Sequence, residues 1–278
     1  MGDVSSDFTL LLPVYHGDRL DFLREAYRCA VIDQILQPTH VVIVRDGPVS
    51  EDVDAFLDTV ESEGATVVRL SENGGLSAAL NAGLDVVTTE IVARADADDI
   101  CLPRRFSTQI PMIQQGLDVV GSAIEEFETN PDAPGVVRPR RTDPGGLAKF
   151  ARFETPLFHP TVTFRKSAVL AVGGYPELPY LEDYLLWSRM IVAGKRLGNS
   201  PEVLVRFRSG AGSYARRGGT RLLRSEIELQ KQFLHTGFTT RTQFVRNVVL
   251  RGAYRLTPQW IRRTVYSWHQ RRISKPQA

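Results

Sequence analysis

The sequence predicts an α/β fold in which a mixed, mostly parallel sheet is flanked by helices. Three observations carry that prediction. Over the first hundred residues, strand-like apolar runs alternate with helical stretches across short connections, an order that implies right-handed crossovers and parallel pairing. Phe8-Thr9-Leu10-Leu11-Leu12-Pro13-Val14 is an almost unbroken apolar run, as a strand covered on both faces requires. Acidic residues then stand just past strand ends, Asp46 after the second and Asp96, Asp98 and Asp99 after the fourth. Open α/β sheets gather ligands beyond those ends, so these acids should face one crevice.

The elements follow in order. After the first strand a helix is expected over about 19–34, then a strand over 41–44. Ser50 caps a helix running to about Ser62. A third strand over 65–70, a helix over 76–87 and a fourth strand over 91–93 complete the alternating part. Beyond Pro103 the pattern is more mixed: helix 104–115, strand 118–127, and a surface loop over 129–144 that is rich in Pro, Asp and Arg. A strand over 160–164, helices over 166–172 and 182–192 and a last strand over 203–207 follow. From Gly219 onward the pattern is helical, over about 220–235, 240–256 and 258–272. The chain therefore divides into a body, 1–210, and a helical extension, 211–278.

The 278 residues suffice for one large α/β body with an appendage. The two cysteines, Cys29 and Cys101, stand far apart in sequence and outside any metal-type spacing, which argues for a reducing compartment. No apolar stretch approaches a membrane span. The net charge of +2 hides an asymmetry: after Glu228 there are ten basic residues and no acidic one. The preceding residues therefore hold 24 of the 34 Lys and Arg against all 32 Asp and Glu. An acidic body with a basic tail points to an anionic partner surface. On the last expected helix Trp260, Ile261, Thr264, Val265 and Trp268 share one face, with Arg262 and Arg263 roughly opposite. That pattern suits a membrane interface, or a face packed on the body with solvated arginines.

Asp96, Asp98 and Asp99 place three carboxylates within four residues. Enclosed without compensation they would repel and lose hydration. A divalent cation, Mn²⁺ or Mg²⁺, removes the difficulty, since it takes oxygen ligands and shares them with phosphates. The competing reading is an acidic turn with Asp98 or Asp99 as N-cap of the next helix and Pro103 in its first turn.

Several motifs occur in a set order: Leu12-Pro13-Val14-Tyr15, Asp46-Gly47, Asn73-Gly74-Gly75 leading to Asn81-Ala82-Gly83, Asp96-Ala97-Asp98-Asp99, His159-Pro160, Gly173-Gly174-Tyr175 and Glu182-Asp183-Tyr184. Over roughly 8–208 this set resembles the family 2 glycosyltransferases, which have the GT-A fold with its Rossmann-like nucleotide-binding core. The resemblance implies that 8–100 is the nucleotide-binding half and 101–210 the acceptor-binding half. It implies a nucleotide-sugar donor, with UDP as the nucleotide, held by Pro13, Tyr15, Asp46, Asn73, Gly75, Asn81 and Asp96. Asp98 is the implied direct metal ligand, with Asp96 and Asp99 beside it. Asp183, next to Glu182, is the implied general base of an inverting transfer. His159, Tyr180, Trp187 and Arg216 are candidates for acceptor or diphosphate contacts.

The Gln-x-x-Arg-Trp type motif of the family's processive synthases is absent, so one sugar per encounter is expected. The acceptor implied is a glycan or lipid-linked glycan in bacterial capsule, exopolysaccharide or lipopolysaccharide assembly. The setting implied is cytoplasmic, peripheral on the inner face of the plasma membrane, with no nucleic acid as partner. Two rivals are weighed. A sugar-phosphate nucleotidyltransferase would need an Arg-containing glycine-rich loop where Pro13-Val14-Tyr15-His16-Gly17-Asp18 stands. A nucleic-acid-binding protein would use the basic tail and leave the acidic crevice without purpose.

Overall fold

The structure, a computed structural model, describes residues 7–131, 133, 135–209 and 220–256. Its strands are β1 (Phe8–Tyr15), β2 (His40–Asp46), β3 (Thr66–Arg69), β4 (Ile91–Arg94), β5 (Ile100–Cys101), β6 (Val119–Phe127), β7 (Val136–Arg138), β8 (Thr163–Arg165) and β9 (Leu197–Arg208). The helices are α1 (Leu20–Tyr27), α2 (Glu51–Ser62), α3 (Leu76–Val86), α4 (Arg105–Gln114), α5 (Pro144–Phe150), α6 (Lys166–Leu170), α7 (Glu182–Val192), α8 (Thr220–His235) and α9 (Arg241–Leu256). The sheet order is β3-β2-β1-β4-β8-β6-β9-β5, with β7 on β6. The first four strands pair in parallel, and β8 then enters antiparallel between β4 and β6. The sheet is thus mixed, and parallel through β3, β2, β1 and β4, as the alternating sequence there requires.

The apolar run of β1 divides by parity. Phe8, Leu10, Leu12 and Val14 pack on one face with α1, α2 and α4 residues. Leu11 packs on the other face with Leu80 and Leu84 of α3 and Trp187 of α7. Both faces are dry, so the run is continuous rather than alternating. Helix α3 lies so close to the sheet that a Cβ on Gly83 would strike Leu11 Cδ1 and stand 2.9 Å from Val44 Cγ2. Gly83→Ala is therefore expected to cost about 1–3 kcal/mol by overpacking, read as a lowered chemical-denaturation midpoint at unchanged slope.

Several boundaries move. The helix expected to run to Gln34 ends at Tyr27 and continues as a single π-helical stretch, Arg28–Ile32. Ser50 stands at the N-cap of α2, but its hydroxyl pairs with Asp52 and makes no capping bond to the helix backbone. The expected loop over 129–144 carries β7, and Asp143 starts α5 by accepting the Gly146 N–H at 2.7 Å. His159–Thr161 is a 3₁₀ turn, so the strand begins later, at Thr163. Strand β9 is longer than expected because it runs parallel to β6 across irregular register at Ser122 to Ile124. The expected helix over 258–272 and Arg216 lie outside the described residues. Cys29 and Cys101, distant in sequence, meet in the core, where the Cys101 N–H donates to Cys29 Sγ at 3.1 Å.

The chain divides into two compact units, Met1–Glu177 with Glu182–Arg208, and Leu178–Leu181 with Ser209–Ala278. The second unit contains α8 and α9, which are tied by Asn247 Nδ2 donating to Gln230 Oε1 at 3.0 Å and by Arg251 reaching Glu226 at 3.1 Å. None of the described helices is long and apolar enough to cross a membrane.

Candidate active site

The carboxyl ends of β2, β1 and β4 lie side by side, Tyr15 registering with Asp46 and Leu11 with Arg94. Asp46, almost fully buried, accepts the Gly74 N–H on Oδ1 at 2.7 Å and the Gly75 N–H on Oδ2 at 3.0 Å. Asn73 Nδ2 donates to the Asp46 carbonyl at 3.1 Å. The carboxylate thus holds the glycine loop in place, a role the sequence did not assign it. Gly47 at φ +79° allows the close approach, since a Cβ there would lie 2.6 Å from the Asn73 backbone nitrogen. Gly75, at φ +86°, opens α3.

Asn81 is committed as well. Its Nδ2 donates to the Tyr175 carbonyl at 2.8 Å and its Oδ1 accepts the Tyr175 N–H at 2.9 Å. Both amide ends therefore tie α3 to the turn after α6, where Gly173 and Gly174 take positive φ. Tyr175 in turn meets His159, its hydroxyl 3.2 Å from Nε2. Burial, with the Arg94 charge, pushes the His159 imidazole well below its ordinary pKa, so it is neutral at pH 7. Trp187 has no exposed surface and sets its edge against His159. Tyr180 belongs to the second unit and is 45% exposed.

The acidic turn after β4 is no helix cap, because α4 starts only at Arg105 and its N-cap is Arg104. Ligand oxygens of Asp96, Asp98 and Asp99 all lie within 4.8 Å of one another. Asp99 is buried; its Oδ1 accepts the Arg208 N–H at 2.8 Å and its Oδ2 has no hydrogen-bond partner. Burial, then the charges of Asp96 and Asp98, push the Asp99 carboxyl well above the usual range. An orphaned buried oxygen among clustered hard donors fits a divalent cation. Arg208 braces the turn further: Nε donates to the Asp98 carbonyl at 2.9 Å, Nη2 meets Glu25 at 2.8 Å, and the guanidinium stacks 3.8 Å from the Phe22 ring centroid.

Glu182 and Asp183 open α7. Burial, then the neighbouring Asp183, raises Glu182 to about 7, and burial raises Asp183 to about 6. Asp96 adds to the field on Glu182, so the two acidic groups, 86 positions apart in the chain, lie within electrostatic reach of each other. Arg94 acts on both groups. It is 3% exposed, pairs with Asp96, and leaves Nε and Nη1 without hydrogen-bond partners. Its charge acts on Asp99, His159, Tyr175, Glu182 and Asp183 alike. Arg105, fully buried beneath it, donates Nη2 to the Arg94 carbonyl.

Three residues of this centre went unassigned from sequence: Arg94, Arg208 and Asp18. Arg94 immediately precedes the acidic cluster, and that adjacency was its available signal. Asp18 accepts the Tyr15 N–H at 2.9 Å, and burial, with the charges of Asp98 and Asp96, lifts it to about 7. Nothing local in the sequence marks Asp18 or Arg208.

A mixed sheet with a glycine loop and an acidic cluster past its parallel strand ends, and a second acidic pair opening a later helix, matches the GT-A glycosyltransferases. The family model described as glycosyl transferase family 2 matches residues 9–170, and the chain belongs to that family. Among curated relatives it is 32% identical over 271 residues to the Escherichia coli UDP-Gal:alpha-D-GlcNAc-diphosphoundecaprenol beta-1,3-galactosyltransferase, covering 96% of this chain and 97% of that one. It is 34% identical over 267 residues to the amylovoran biosynthesis glycosyltransferase AmsE of Erwinia amylovora, covering 93% and 97%. The fold matches the crystal structure of S. aureus TarS 1-349 in complex with UDP-GlcNAc at a TM-score of 0.66 and 16% identity, covering 88% of this chain and 72% of that one. The protein is a glycosyltransferase, and that sets aside the nucleotidyltransferase alternative.

Proposed function

We propose that the protein transfers a sugar from a UDP-sugar to a hydroxyl of a glycan or lipid-linked glycan, with inversion, in assembly of a bacterial surface polysaccharide. The observation that carries this reading is the convergence on Arg94 of the Asp96-Asp98-Asp99 cluster and the Glu182-Asp183 pair. Near-full-length similarity to a relative named for UDP-Gal and a diphosphoundecaprenol acceptor supports the donor and acceptor classes.

Each residue then has a task. Asp46 fixes the glycine loop through the Gly74 and Gly75 N–H groups, so that the start of α3 faces donor oxygens. Pro13, Tyr15, Asn73 and Asp96 border the donor. Asp98, with Asp96 and Asp99, would hold Mn²⁺ or Mg²⁺, which when bound offsets charge on the departing diphosphate. Asp183 removes the acceptor hydroxyl proton as that oxygen bonds to the anomeric carbon and the carbon–phosphate-oxygen bond breaks. Glu182, a like charge in a dry site, keeps that base from being too weak. The basic C-terminal region suits peripheral attachment to the inner, cytoplasmic face of the membrane, where a lipid-linked acceptor would reside.

Thermal shift tests the reading. UDP with Mn²⁺ is expected to stabilise the protein by about 2.7 kcal/mol at a hundredfold excess over Kd, and UDP with chelator by far less. Absence of any response to UDP, with or without Mn²⁺, would overturn the UDP-sugar donor.

A further inference from the structure

Helix α9 has a face that neither its partner helix nor the transfer reaction uses. Asn247 is buried toward α8, whereas Val245, Val249 and Leu250 are 58%, 61% and 55% exposed. At 100° per residue Val245, Val249 and Ala253 form one stripe, and the exposed Arg241 and Arg246 stand on either side of it. A helix face intended only for water is polar, so large apolar side chains at its centre need a partner.

We propose that this face docks on an anionic lipid surface, Val245 and Val249 entering the boundary between headgroups and acyl chains while Arg241 and Arg246 meet lipid phosphates. The proposal rests on the membrane-facing reading of the C-terminal region and assigns that contact to a defined surface. Charge selects the occupant. Residues after Glu228 contain ten basic groups and no acidic one. A second copy would therefore set two cationic faces against each other. The segment 257–278 carries Arg262, Arg263, Arg271, Arg272 and Lys275, of the same sign, and would also be repelled. A nucleic acid would satisfy the arginines but give the valines nothing to bury against. A lipid surface satisfies both kinds of side chain.

The test is co-sedimentation of the full chain with vesicles of phosphatidylcholine plus phosphatidylglycerol, and with phosphatidylcholine alone. Binding is expected only to the anionic vesicles and should fall as salt rises. Val245→Glu/Val249→Glu should lower partitioning by about tenfold or more, and Arg241→Gln by about fivefold. These positions are exposed, so the thermal midpoint and the transfer rate to a soluble acceptor should not move. Absence of binding to any vesicle overturns both this face and the membrane reading. Binding that survives the valine variant but disappears on truncation after Leu256 overturns the face alone. Concentration-dependent dimerisation abolished by the valine variant would make a second copy the occupant and overturn the lipid assignment. Equal loss of nucleic-acid and vesicle binding in the Arg241 variant, with none in the valine variant, also overturns it.

Discussion

Asp183→Asn is expected to lower kcat by about 10²–10⁴-fold, the usual worth of a positioned general base, with UDP affinity nearly unchanged. The amide keeps the shape of the carboxylate but accepts no proton, and under the proposed function the nucleotide is assigned to other residues. Single-turnover transfer and calorimetric UDP titration read the two effects separately. Collapse of nucleotide affinity would assign Asp183 to donor binding instead. In the wild type, the rate should climb as pH passes through the range of about 6 to about 7 in which Asp183 and Glu182 titrate. Stability runs the other way. Burial raises both carboxyls above their ordinary 3.8 and 4.5, so the folded state holds their protons more tightly than the unfolded chain. Their contribution to stability is present at low pH and is lost as pH rises through the folded values. Glu182→Gln should accordingly raise the melting temperature at pH 8 and have little effect at pH 4, where the acid is already neutral.

Arg94→Met should destabilise the protein by about 3–5 kcal/mol, because it removes one member of a buried ion pair and leaves acids on both sides uncompensated. The same variant should push the rising limb of the pH–rate profile upward, since a charge that favours ionised Glu182 and Asp183 is gone. Arg94→Lys restores the charge without the planar fork and should recover the position of that limb more fully than it recovers stability. Denaturant unfolding and a pH–rate series decide the matter. A variant with wild-type stability and an unshifted limb would show that Arg94 does not hold the two acidic groups together.

How much of this was legible in the sequence differs from element to element. Strands β1, β2 and β4 were readable because burial on both faces leaves an unbroken apolar signature in a short window. β7 and α5 were not. One is a three-residue edge strand paired only to β6, and the other begins at an Asp-Pro-Gly-Gly segment whose local chemistry reads equally as a turn. Strand β9 was cut short because Gly198, Asn199 and Pro201 lack strand propensity; Gly198 and Asn199 are extended by pairing with β6, and Pro201 falls where that register is irregular. Among the site residues, the Asp96-Asp98-Asp99 cluster was legible from its own spacing, whereas the roles of Asp46, Glu182 and Asp183 came from the family resemblance. The bonds of Asp46 to Gly74 and Gly75 depend on a loop 28 residues away. The bonds of Asn81 to Tyr175 and the burial of Trp187 likewise depend on elements distant in sequence.

The sequence by itself determined the alternating sheet, the identity of the carboxylates and the opposed charge of body and tail, because periodicity and composition are local properties. Tertiary structure alone decided that the Arg94 charge reaches both groups of acids, that Arg208 braces the Asp98-Asp99 turn and that Asp18 feels the charges of Asp98 and Asp96. Those facts depend on which strand ends the fold brings side by side, and the fields of buried charges reach across space without regard to their separation along the chain.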